Sequence, residues 1–145
     1  MIRKPPPQKP LLSAAKVHSF LKKRISFTQE EFWVLALDPG LRLIDARCLF
    51  RGTVDQCPVH PRDIFRYGCA MNATRLILSH SHPSGDPTPS VEDSRVTKDI
   101  VFLGEVMKIP IEDHVIVSSK KYFSFREKGW IEIYLERAVA RFSKT

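Results

Sequence analysis

Cysteine is scarce in this chain of 145 residues: Cys48, Cys57 and Cys69 are an odd number without CxxC spacing. That excludes a disulfide framework and a thiolate zinc site, and it predicts a reducing compartment. Long hydrophobic runs are missing too. No stretch approaches the ~18 apolar residues of a membrane span, and the basic N-terminus runs into prolines rather than an apolar segment. Neither a transmembrane helix nor a signal peptide is expected, and the reading is of a cytoplasmic protein. Acidic residues are absent before Glu30, whereas Arg3, Lys4, Lys9, Lys16, Lys22, Lys23 and Arg24 all precede it. The formal charge of +7 therefore comes wholly from the first 24 residues, because the remaining 16 Lys and Arg balance 16 Asp and Glu.

What is present is the make-up of an ordinary globular domain, 43% hydrophobic and 27% charged. A chain of this size can bury a core without metal or disulfide staples, so any metal is free to serve chemistry. Residues 1–10, with four prolines and three cations, read as a mobile arm, and residues 11–145 as a single domain. Ser13 is placed to cap a short basic helix carrying Val17, Phe20, Leu21 and Ile25 at helical spacing. Phe32 to Leu37 is an apolar run of strand length ending at Asp38-Pro39-Gly40, where Gly40 admits positive φ, so residues 32–50 predict an antiparallel hairpin. Ile64, Phe65, Ala70 and Met71 suit a helix buried on one side, and Arg75 to Ser79 a second buried strand.

After a proline-rich loop at 81–89, Ser90 with Asp93 three residues later opens a helix to about Met107, with Val96, Ile100, Leu103 and Met107 facing inward. His114 to Val117 and Tyr122 to Phe125 read as paired strands, and Glu132 to Phe142 as a final helix. The class is α/β or α+β, a mixed sheet flanked by helices.

The chemistry concentrates at residues 80–93. His80 and His82, at i and i+2 on extended backbone, project to one side and can offer two imidazoles to one ion, and Asp93 opens the following helix. Two histidines and one carboxylate leave a fourth zinc position for water, the catalytic pattern. A proton acceptor is also needed. Glu30 or Glu31 could supply it, and because adjacent strand residues face opposite sides only one of them can.

The spacing His-x-His-Pro, six residues, Ser, two residues, Asp resembles the signature of JAMM (JAB, MPN-plus) metalloproteases. The flanking FRGTVDQCPVHPRDIF, DHVIVSS and FREKGW are similar to the RadC branch of bacterial proteins. The resemblance covers about Leu11 to Trp130. It implies zinc ligands His80, His82 and Asp93, a catalytic Glu30, and a Ser90 that helps stabilise an oxyanion besides capping its helix. It also implies the MPN fold, a cytidine-deaminase-like mixed sheet flanked by helices. The family's N-terminal helix-hairpin-helix region is not in this sequence, so its DNA association does not transfer.

The resulting expectation is a zinc-dependent metalloprotease-like hydrolase that cleaves a peptide or isopeptide bond of an unnamed substrate with metal-activated water. Nucleoside deamination is the rival zinc chemistry, but its His-x-Glu and Pro-Cys-x-x-Cys motifs do not occur. The alternative is a DNA-associated accessory protein of the DNA-repair type with weak or no catalysis, making nonspecific nucleic-acid contact through residues 1–24. His18, His60 and His114 read as structural or solvent-facing, the cysteines as packed or incidental, and Asp86 as a turn residue.

Overall fold

The structure is a computed structural model and describes residue 10 and residues 13–52 and 59–144. The rest of the expected N-terminal arm, and Cys57, lie outside the described residues. Among the described residues nine elements follow in order: α1 (Ala14–Leu21), β1 (Glu30–Leu37), β2 (Leu43–Gly52), α2 (Pro61–Ala70), β3 (Arg75–Ser81), α3 (Val91–Met107), β4 (Ile111–Val117), β5 (Tyr122–Ser124) and α4 (Trp130–Phe142). The strands form one sheet of order β2-β1-β3-β4-β5. Only β3 and β4 run parallel, because α3 carries the chain back between them. The result is the mixed α+β architecture expected of a JAB/MPN domain.

Alternation along the strands divides the core in two. Leu35, Leu37, Ile77, Val115 and Val117 face α1, where they meet Ala14, Val17 and Leu21. Val34, Ala36, Leu76, Leu78 and Ile116 face α2, α3 and α4, where they meet Ile64, Phe65, Ile100, Val101, Ile131 and Tyr134. Leu78 is fully buried in the central strand, and its truncation to alanine would cost about 2–5 kcal/mol. Among the described residues no helix is long and apolar enough to cross a membrane.

Three local expectations are corrected. At the hairpin it is Leu41 (φ 61°), not Gly40, that takes the left-handed conformation. Asp38 explains this, since its Oδ1 accepts from the backbone N–H groups of Gly40 (2.8 Å) and Arg42 (2.9 Å) and sets the turn itself. In α2 the buried positions are Ile64, Phe65, Tyr67 and Gly68, while Ala70 is exposed. In α3 Val96, Ile100 and Leu103 pack on the core as expected, but Met107 is 45% exposed, and the buried positions also include Asp93, Thr97, Val101 and Gly104. Apolar periodicity could not find a face that includes Asp, Thr and Gly. A Cβ at Gly104 would lie 2.8 Å from the Ile109 carbonyl oxygen, so glycine is what lets the chain fold back tightly into β4.

Candidate metal centre

Antiparallel pairing of β1 with β3 sets Phe32 opposite His80 and so brings the start of β1 to the end of β3. Glu30 and Glu31 then part to opposite faces, as pleating requires. Glu30 lies with its Oε2 3.4 Å from His80 Nε2. Glu31, fully buried, accepts instead from the Ser26 backbone N–H at 2.7 Å and from Arg51 Nε at 3.1 Å. Only Glu30 reaches the histidines.

His80 is buried within β3, and His82 stands just past its end, held by a backbone hydrogen bond from its N–H to the Val117 carbonyl (3.0 Å). Their rings meet edge to face at 4.9 Å. The His82 Nδ1 lies 2.9 Å from the Asp86 carbonyl oxygen, which turns Nε2 toward Asp93 Oδ2 at 3.2 Å. Asp86 itself accepts from the Thr88 hydroxyl and N–H, the turn chemistry expected of it.

Asp93 arrives from α3. Ser90 caps that helix: its Oγ accepts from the Asp93 N–H (3.0 Å), and its own N–H donates to Asp93 Oδ2 (2.8 Å), a complete capping box. The other carboxylate oxygen, Oδ1, lies 3.1 Å from His80 Nδ1. One carboxylate thus spans both imidazoles. Ligand atoms of Glu30, His80 and His82 lie within 4.8 Å of one another, a grouping suited to a metal that does not include Asp93.

These contacts shape the charges. Burial works against the His80 cation, but the Asp93 and Glu30 carboxylates outweigh it and raise its pKa to about 9. His82 is likewise raised against the effect of burial, chiefly by Asp93. Burial pushes Asp93 up, yet its bonds to the two histidines hold it well below the usual carboxylate range. His80 Nε2 is buried and makes no hydrogen bond, its approach to Glu30 being too poorly aligned. An orphaned imidazole nitrogen among imidazole and carboxylate donors fits a bound cation.

The family described as "RadC-like JAB domain" matches residues 11–130. The chain belongs to this RadC-like JAB family. A UPF0758 protein of Thermotoga maritima is 43% identical over 117 residues, covering 81% of this chain and 53% of the relative. One from Histophilus somni strain 2336 is 47% identical over 103 residues, covering 71% and 46%, and one from Symbiobacterium thermophilum is 40% identical over 120 residues, covering 82% and 51%. The chain spans about half the length of these curated relatives, whose names state no activity.

The cluster in this RadC-like domain has an inner layer that the spacing of residues 80–93 did not reveal. His114, on β4, is fully buried, and burial together with the nearby His80 charge drives its pKa down to about 3. Thr97, on the inward face of α3, meets His114 Nδ1 and the Asp93 carbonyl oxygen through its Oγ1. A polar residue on the inward face of α3, opposite a histidine in a buried strand, was the available signal. His18 is buried and bonded through Nε2 to the Ser118 carbonyl (2.9 Å), and His60 is exposed at the α2 entrance. Cys48 is half-buried and Cys69 exposed, and neither belongs to the cluster.

Proposed function

We propose that this protein is a zinc-dependent hydrolase of the JAMM metallopeptidase kind, acting on a peptide or isopeptide bond. The observation that carries the reading is the convergence of Glu30, His80, His82 and Asp93 at one end of the sheet, with a buried imidazole nitrogen lacking any hydrogen bond. Mixed imidazole and carboxylate donors suit zinc. When bound, zinc supplies the Lewis acidity that makes a water nucleophilic at neutral pH.

His80, His82 and Asp93 hold the ion in this reading. Asp93 takes the ligand role because its carboxylate meets both imidazoles, whereas Glu30 approaches only one. The Asp86 carbonyl keeps the His82 proton on Nδ1 and leaves the Nε2 lone pair for ligation. His80 must shed its proton as the ion enters, so metal uptake is coupled to proton release. Glu30 accepts a proton from the attacking water and returns it to the leaving amine. Ser90 Oγ accepts from Asp93 N–H, which leaves its own proton for a developing oxyanion.

Metal analysis of protein purified with zinc present tests this reading. About one zinc per chain is expected, and none would overturn it. Glu30→Gln should retain zinc while cleavage of a peptide library falls roughly 10²–10⁴-fold. If that variant loses zinc instead, Glu30 is a ligand rather than the base.

A second reading, contact with nucleic acid, rests on a separate observation. Lys22, Lys23 and Arg24 are exposed after α1, and the His18–Ser118 hydrogen bond draws the exposed Lys120–Lys121 turn against that helix. That bond ties the segment carrying Lys120 and Lys121 to the helix that Lys22, Lys23 and Arg24 follow. Reversing Lys22, Lys23, Lys120 and Lys121 to glutamate should weaken DNA binding and flatten its salt dependence, and unchanged affinity would defeat this reading.

A further inference from the structure

Thr97 and His114 lie behind the proposed site and take no part in the chemistry described above. Thr97, fully buried one helical turn after Asp93, has its Oγ1 2.6 Å from the Asp93 carbonyl oxygen and 2.6 Å from His114 Nδ1. A carbonyl can only accept, and a threonine hydroxyl carries a single proton. Oγ1 therefore donates to Asp93 and accepts from His114, which places the imidazole proton on Nδ1. Nε2 is left as a buried acceptor with no hydrogen-bond partner, on a ring stacked against Phe125 at 5.0 Å and edge-on to Phe32 at 5.9 Å. An apolar side chain would fill this volume without stranding an acceptor. The nitrogen that does bond is the one that reaches α3.

We propose that Thr97 and His114 are positioning residues that clamp the first turn of α3 to β4 and hold Asp93 in register with His80 and His82. The inference rests on the reading of those three residues as metal ligands, and it explains how their geometry survives ligation. The capping box anchors the same turn, but through Asp93 Oδ2, an oxygen that also faces His82 Nε2 at 3.2 Å. An ion drawing on that carboxylate competes with the box. The Thr97–His114 clamp grips the backbone carbonyl of the same residue and uses neither carboxylate oxygen.

Three variants of the full chain, Thr97→Val, Thr97→Ser and His114→Phe, are titrated with Co²⁺ and followed by its visible absorption. Thr97→Val and His114→Phe should weaken Co²⁺ binding about 10- to 100-fold, and Thr97→Ser, which restores the hydroxyl, should return it to wild-type affinity. In metal-free protein, Thr97→Val should speed amide hydrogen exchange in the first turn of α3 by about tenfold and leave β3 unchanged. Nitrogen NMR should find the His114 proton on Nδ1. A Thr97→Val variant with wild-type Co²⁺ affinity and exchange would overturn the clamp, as would a proton on Nε2. If wild-type protein takes no Co²⁺, the metal reading fails, while the exchange rates and the tautomer still decide the clamp.

Discussion

Asp93 and Asp113 are both buried, at 8% and 5% exposure, yet the two carboxylates are surrounded by different kinds of donor. Asp113 accepts from the backbone N–H groups of His114 (2.7 Å) and Arg126 (2.9 Å) and from the Ser124 hydroxyl (2.6 Å). These donors are neutral and belong to one short stretch of chain, so the carboxylate locks the strand β4 to the turn after β5. Burial prevails over those bonds and raises its pKa to about 6. Asp93 instead faces two imidazoles, partners that can give up protons and exchange for a metal. A buried carboxylate closed by neutral donors is a structural joint, and one closed by ionisable donors takes the ligand role in the proposed function.

Removing each carboxylate should separate the two roles. Asp93→Ala should lower zinc affinity by more than about a hundredfold, read by equilibrium dialysis, while circular dichroism reports a retained fold weakened by about 1 kcal/mol from the lost side-chain half of the capping box. Undiminished zinc binding would remove Asp93 from the ligand set. Asp113→Ala strands three donors and should cost about 3 kcal/mol in urea unfolding, with zinc bound per folded molecule unchanged. A drop in zinc affinity there would show that the joint also shapes the site.

The pH dependence of stability sharpens the contrast further. The folded pKa of Asp113, about 6, exceeds its ordinary 3.8, so the folded chain holds this proton more tightly. Its contribution is fully present below about pH 3.8 and is lost as pH rises through about 6. Between those values wild-type stability should fall relative to Asp113→Asn by on the order of 3 kcal/mol. A flat difference between the two urea titrations would show that the hydrogen bonds to Asp113 cancel the cost of burying it. The smallest effect is expected at Ser90→Ala, about 1 kcal/mol in thermal unfolding from the lost N-cap.

Much of the site was legible where its information is local. The His80/His82 pair needs only extended backbone, and Ser90 with Asp93 needs only the geometry of a helix start, so spacing identified both. The separation of Glu30 from Glu31 also followed from strand pleating, although pattern alone left open which of them meets the histidines. The apolar stripe of α3 caught Val96, Ile100 and Leu103 but not Thr97 and Gly104, which face the core for reasons unrelated to hydrophobicity: one bonds His114, and the other admits the returning chain. At the hairpin, the Asp38 side chain overrode the conformational preference of Gly40. Asp113 and His114 stood adjacent in sequence, and pleating sends them to opposite faces of the sheet, but nothing local indicated the partners each would meet there.

The sequence by itself determined the class of fold, the positions of the elements flanking the site, and the donors at residues 80–93, because each depends on neighbours within one strand or one helical turn. Only the tertiary structure decided that Glu30, fifty residues earlier, meets His80, that one Asp93 carboxylate spans two imidazoles, and that β4 reaches α3 through His114 and Thr97. Those contacts depend on strand register and helix docking, which are set by burying two separate cores at once on either side of a single sheet.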